Sequence, residues 1–209
     1  MSYALLFSGQ GAQHAGMLPW LARDDGVCAV EALLGTDWRE HLGDPAWAGR
    51  NAHAQPLLTG LALAAWAQLA PLLPEPPAVV AGYSVGEMAA FCAAGVFDAP
   101  TALALAQQRA ACMDQAAATQ AATGLLGVSG LGPDALAALC GRFDLDVAIR
   151  NEVDSVVLGG PRPALEAAAG EAVELGARCT PLNVALASHT RWMRPAAEAF
   201  ARVLAPVAL

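Results

Sequence analysis

The pentapeptide Gly82-Tyr83-Ser84-Val85-Gly86 follows an apolar run, residues 78–81, and precedes a segment of helical composition. A serine between two glycines in a strand–turn–helix setting fits a nucleophile. The glycines allow a sharp bend that exposes the hydroxyl, and the next backbone N–H, that of Val85, faces the oxygen of an attacked carbonyl. The plain alternative is a structural turn. A seryl oxygen also needs a base to take its proton. Of the four histidines, His14, His41, His53 and His189, His189 is the most attractive. It stands in the loop Ala187-Ser188-His189-Thr190, where the chain returns from a predicted insertion. His41 and His53 fall in polar connecting segments and read as solvated. No histidine pair has a zinc-ligand spacing, and no metal site is expected. Arg109 interrupts an otherwise apolar helical segment, residues 101–113. Such an arginine either keeps its head in water at a helix edge or forks onto a substrate carboxylate.

Near the start, residues 5–16 read LLFSGQGAQHAG. Gly9 and Gly11 match the first two glycines of a dinucleotide fingerprint, but His14 occupies the place of the third. A Walker loop needs a lysine, and the chain has none: all eleven basic residues are arginine. A phosphate cradle is therefore poorly supported. The remaining readings are a tight turn, or glycines that bring a backbone N–H close to a reacting atom. The missing lysine also excludes acyl-lysine and Schiff-base chemistry within this chain.

The elements that must position these groups can be read along the chain. Residues 3–7 form a short buried strand. Residues 17–50 form short helices and turns. A helix is predicted from Pro56 to Leu72, with proline in its first turn. Residues 78–83 form a buried strand, and the helix after Ser84 closes at Gly95. Asp98 caps the helix that carries Arg109. From residue 122 the pattern becomes strand (124–130), helix (132–142), two strands (145–150 and 155–160) about the turn Asn151–Asp154, helix (162–176) and strand (178–184). That order, βαββαβ, is ferredoxin-like. The expected organisation is a core of residues 1–121 and 187–209 with an inserted sub-domain, 122–186.

With 209 residues, 56% of them hydrophobic, the chain can bury a sizeable core. A net charge of −8 offers no broad basic surface, which argues against nucleic acid as a general partner. The five cysteines are scattered through apolar segments without a CxxC pair and read as buried thiols in a reducing cytoplasm. No signal peptide is visible, and the longest apolar stretch is too short to span a membrane.

Taken together, SGQGAQ, GYSVGE, an arginine 25 residues after the serine and Ser-His at its present distance resemble the malonyl-CoA:acyl-carrier-protein transacylases. Tyr83, where most members have histidine, most resembles the epsilon subunit of malonate decarboxylase. The resemblance implies an α/β fold: a hydrolase-like parallel-sheet core with the ferredoxin-like insertion. It implies Ser84 as the acylated nucleophile and His189 as general base and then acid. The N–H groups of Gln10 and Val85 would form the oxyanion hole. Arg109 would hold the free carboxylate of the malonyl group, and Met113, one turn further along, would line the same pocket. Asn151 would serve the coenzyme A or pantetheine arm, although Ile149 stands where members often have a second asparagine. The Leu-Ala-Ser-His stretch is like one associated with methylmalonyl selection, but malonyl enzymes also have serine before the histidine, so acyl selectivity stays open.

The resemblance implies malonyl-CoA as substrate, no permanently bound cofactor and an acyl carrier protein as partner. In the epsilon-subunit reading, the other decarboxylase subunits are partners too. Family members continue past Leu209, so the C-terminal part of the usual core, including the group that orients the histidine, is expected to be absent. Three other readings remain. A malonyltransferase of fatty-acid or polyketide type has the same motifs. A serine esterase or thioesterase would need a triad acid, and Asp144, Asp146 and Asp154 lie in the inserted sub-domain. A non-catalytic binding module would need a positive patch for an acidic carrier, for which Arg178, Arg191, Arg194 and Arg202 are the candidates.

Overall fold

The structure is a computed structural model that describes residues 2–11, 13–182 and 184–207. Ala12 in the opening loop and Asn183 near the end of the last predicted strand lie outside the described residues. The chain divides into two compact units, Met1–Ala111 with Phe200–Leu209, and Cys112–Ala199. Residues 112–121 and 187–199, which the sequence reading places with the core, fall in the second of these units.

In the first unit, strand β1 (Ala4–Phe7) pairs in parallel with β2 (Val79–Gly82), Phe7 opposite Gly82. Between them in sequence lie α1 (Asp25–Leu34), the single-turn helices α2 (Trp38–His41) and α3 (Pro45–Ala48), and α4 (Asn51–Leu69), which runs into a 3-10 turn at Ala70–Leu72. Helix α4 starts five residues before the predicted Pro56, which therefore lies inside it. Burial overrides the missing N–H: residues on every side of α4 are buried, Leu57 and Leu61 completely. Those two pack with Val27 and Val30 of α1 and with Trp38 and Leu42.

After β2 come α5 (Gly86–Ala93) and α6 (Ala99–Ala118). Gly95 (φ 82°) donates to Cys92 O beyond the end of α5, and Asp98 Oδ1 accepts from Thr101 N at the start of α6, both as the sequence suggests. Phe7, Leu63, Ala89 and Ala102 form a second apolar cluster that packs α5 and α6 against β1 and α4. Met88, Leu105 and Ala106 meet Phe200 and Val203, from the C-terminal half of α9 (Arg194–Leu204).

The second unit contains β3 (Thr123–Ser129), α7 (Pro133–Phe143), β4 (Asp146–Arg150), β5 (Ser155–Pro161), α8 (Arg162–Glu174) and β6 (Arg178–Pro181). The strands form one sheet in the order β4-β5-β3-β6, every neighbour antiparallel. This is the ferredoxin-like order that the sequence predicts. Helices α7 and α8 cover one face, with Leu136, Leu139 and Leu165 packed on Leu126, Val128 and Leu158. The mixed α/β architecture, a parallel pair and an antiparallel insertion, is the predicted fold class.

Candidate active site

Ser84 sits between β2 and α5 with φ 55°, the left-handed region that a residue with a side chain adopts at a cost. Neighbouring groups enforce that bend. Tyr83 N donates to Phe7 O (2.9 Å), while Gly86 N donates to Tyr83 O (3.0 Å) and Glu87 N to Ser84 O (3.0 Å). The flanking glycines are required by close approach: a Cβ on Gly82 would lie 2.4 Å from Glu87 N, and one on Gly86 would lie 2.4 Å from Phe7 O. The half-buried Ser84 side chain is thus pushed out of a rigid corner. The Val85 side chain is buried, and among the described residues its N–H donates to no protein acceptor.

Arg109 of α6 comes to the same corner. Its Nη2 donates to Ser84 Oγ over a long 3.4 Å, and its Nη1 donates to Gln55 Oε1 at 2.8 Å. The Arg109 side chain is partly buried and lies against Gln55, which is only 1% exposed. Burial lowers the pKa of Arg109 from its ordinary value, opposed by the charge of Glu87 in the first turn of α5. The group stays cationic regardless. Among the described residues it forms no ion pair, so a desolvated guanidinium is held by a neutral amide beside the serine.

The opening loop lies against this corner. A Cβ on Gly9 would stand 2.7 Å from Tyr83 Cδ1 and 2.8 Å from Tyr83 O. Among the described residues no helix begins after this loop until Asp25, so the helix N-terminus that a phosphate cradle uses is missing. Gln10 Nε2 donates to Gly49 O (3.3 Å), and no acceptor among the described residues takes the Gln10 main-chain N–H.

His189, Met113 and Asn151 belong to the second unit. His189 is exposed with φ 62°, a second strained backbone at a predicted site residue. Its loop is pinned on both sides. Ala187 N donates to Thr123 Oγ1 (3.0 Å), and Arg191 N donates to Asp146 Oδ2 (2.8 Å). Met113 is buried, four residues past Arg109 on α6, and Asn151 is exposed at the β4–β5 turn. Arg191 also pairs with Asp144 and Asp146, so those carboxylates are engaged, and so is this arginine of the suggested patch. His41 and His53 are not simply solvated as expected, for both rings stack on Trp47, at 5.2 and 4.4 Å.

Residues 48–209 match the family described as acyl transferase domain. The malonyl CoA-acyl carrier protein transacylase of Mycobacterium bovis is 39% identical over 98% of this chain and 70% of the relative. The enzyme of that name from Haemophilus influenzae is 32% identical over 97% of this chain and 69% of the relative.

The chain belongs to the acyl transferase domain family.

Solved structures agree with this acyltransferase assignment. A malonyl-transacylase in complex with its type II polyketide-synthase acyl-carrier protein superposes with a TM-score of 0.88 at 28% identity, covering all of this chain and 71% of that one. The MCAT of Mycobacterium tuberculosis gives 0.81 at 37% identity, again covering all of this chain and 71% of that one. Sequence reasoning missed one residue of this acyltransferase's corner, Gln55. Its signal was the spacing of Asn51, Gln55 and Thr59, polar residues at i, i+4 and i+8 of an apolar helix. All three are buried.

Proposed function

We propose that this acyltransferase carries a malonyl group from coenzyme A to the thiol of an acyl carrier protein through an ester on Ser84. The observation that carries the reading is the partly buried Arg109 guanidinium, without an ion pair among the described residues, donating to Ser84 Oγ over 3.4 Å. Such a cation gains most from a ligand that brings its own carboxylate, and the malonyl group is a thioester with one. The relatives' name, malonyl CoA-acyl carrier protein transacylase, supports the same substrate and partner.

In the first half-reaction Ser84 Oγ attacks the thioester carbon and its proton passes to His189. The main-chain N–H groups of Gln10 and Val85 receive the developing oxyanion. The carbon–sulfur bond breaks, and the coenzyme A thiolate leaves with that proton. In the second half the carrier thiol gives its proton to His189, its sulfur attacks the ester carbon, and Ser84 is released as the hydroxyl. Met113 lines the acyl pocket and Asn151 serves the pantetheine arm. Of the settings that the sequence leaves open, the fatty-acid or polyketide type fits the named relatives better than the malonate decarboxylase subunit, for which Tyr83 is the main argument.

Incubation with malonyl-CoA followed by mass spectrometry tests the reading. A malonyl adduct on Ser84, discharged by carrier protein with ping-pong kinetics, is expected. Free malonate forming at one rate with and without carrier would favour the esterase, and no adduct would favour a binding module. Arg109→Ala should reduce malonyl transfer about 100-fold or more while acetyl transfer changes little. Equal losses would remove the carboxylate role.

A further inference from the structure

The opening loop is held by one amide side chain that no catalytic role has absorbed. Gln13 Oε1 accepts from Gly11 N (2.8 Å), and Gln13 Nε2 donates to Ala48 O (2.8 Å). The two bonds fix the orientation of this amide, since a flip would set N–H against N–H and oxygen against oxygen. Ala48 ends α3, and carbonyls at a helix end have no partner inside the helix. The next carbonyl, Gly49 O, accepts from Gln10 Nε2 (3.3 Å). Helix α3 is itself fixed. Asp44 Oδ1 accepts from Ala46 N (2.9 Å), and Trp47 is stacked between His41 and His53, with His53 Nδ1 donating to Trp47 O (3.0 Å).

Gln10 is thereby held from three directions. Its side chain reaches Gly49 O, the amide after it reaches Gln13, and the residue before it, Gly9, abuts Tyr83. Gly11 carries φ 124° with open space around it, so glycine is needed there for the backbone path and not for room. The clasp closes on the peptide that follows Gln10, and the orientation of the Gln10 N–H depends on that peptide staying put.

We propose that Gln13 is a positioning residue for the main-chain N–H of Gln10, with the end of α3 as its anchor. The inference rests on the acyl-transfer reading of Ser84 and deepens it. A donor displaced by a fraction of an ångström in the ground state costs little binding. It costs much more where charge develops in the transition state.

The test is made on the whole chain with Gln13→Ala and Gln13→Glu. For Gln13→Ala the rate of Ser84 acylation by malonyl-CoA should fall about 10- to 100-fold with KM changed less than about twofold. Hydrogen exchange of the peptide spanning residues 8–14 should quicken while the rest of the chain keeps its protection. Gln13→Glu separates positioning from simple packing. An ionised carboxylate still accepts from Gly11 N but repels Ala48 O, whereas the protonated carboxyl restores both bonds. The ratio of the Gln13→Glu rate to wild type should therefore rise as pH falls from about 6 to about 4. An unchanged acylation rate in Gln13→Ala, or a flat ratio for Gln13→Glu, overturns the proposal. Absence of any wild-type adduct instead defeats the acyl-transfer reading, and this inference falls with it. Faster exchange in Gln13→Ala without a loss of rate would leave the clasp structural only and also overturns it.

Discussion

Gln55, buried at 1% exposure, gives Arg109 a neutral acceptor, and among the described residues the guanidinium has no ion-pair partner. Gln55→Glu would place a carboxylate at that position, so the cation would carry an internal partner and lose its preference for a substrate carboxylate. We expect malonyl transfer to fall at least tenfold more than acetyl transfer in Gln55→Glu. Gln55→Leu should weaken malonyl transfer less, by raising KM. Equal effects of Gln55→Glu on both acyl groups would mean that Gln55 only packs. The strain at Ser84 predicts a second pair of outcomes. With φ 55°, Ser84→Gly should be more stable than Ser84→Ala by about 1 kcal/mol, because glycine meets no Cβ penalty there. Denaturant titration of the two variants checks it, and the reverse order would contradict a strained corner. Ser84, His189 and Arg109 stood out in the sequence because each falls in a specific local pattern: a serine between two glycines, a histidine after a serine in a loop, and an arginine in an apolar helical segment. Gln13 and Gln55 did not stand out, because each amide becomes informative only when a distant partner is known: Ala48, 35 residues from Gln13, and Arg109, 54 residues from Gln55.

At the scale of elements, the capped start of α6 and the glycine end of α5 were readable, and the uncapped start of α4 was not. Asp98 and Gly95 marked the α5–α6 junction correctly. Arg50, before α4, makes no side-chain cap bond, and so proline was mistaken for the start of that helix. Helix α1 shows what a cap contributes. Asp24 Oδ1 accepts from Val27 N (2.9 Å) and Oδ2 from Gln68 Nε2 (2.7 Å), which ties α1 to the far end of α4. Burial pushes the Asp24 pKa up, but the hydrogen bonds from Gln68 and from backbone N–H groups outweigh it and hold it below the ordinary 3.8. A depressed carboxyl contributes stability above its unfolded value and loses it as pH falls through the folded one. Asp24→Ala should thus cost about 1 kcal/mol near neutral pH. The difference from wild type should shrink as pH drops from about 5 to about 3. A pH-independent difference would show that the ionised cap is not the cause.

The two units differ in their apolar packing. In the first unit the parallel pair β1–β2 shows one bare face, with Leu6 73% and Val79 57% exposed. Parallel strands are ordinarily covered on both faces, so this surface is prone to association. In the second unit the central strands β3 and β5 are mostly buried among the described residues. Its core cluster, from Leu126 to Ala177, lies wholly inside one stretch of sequence, with Leu158 at 0% exposure. Gln120 Nε2 donates to Trp192 O (2.9 Å) and joins the two ends of that stretch. A segment of residues 119–193 expressed alone should therefore fold, with a cooperative unfolding transition and a stability of roughly 5 kcal/mol. In that segment Leu158→Ala should remove about 3 kcal/mol, since the cavity opens between the sheet and its helices. Gln120→Ala should cost about 1 kcal/mol, the worth of one hydrogen bond. A segment without a cooperative transition, or one indifferent to Leu158→Ala, would mean that this core does not stand without the rest of the chain.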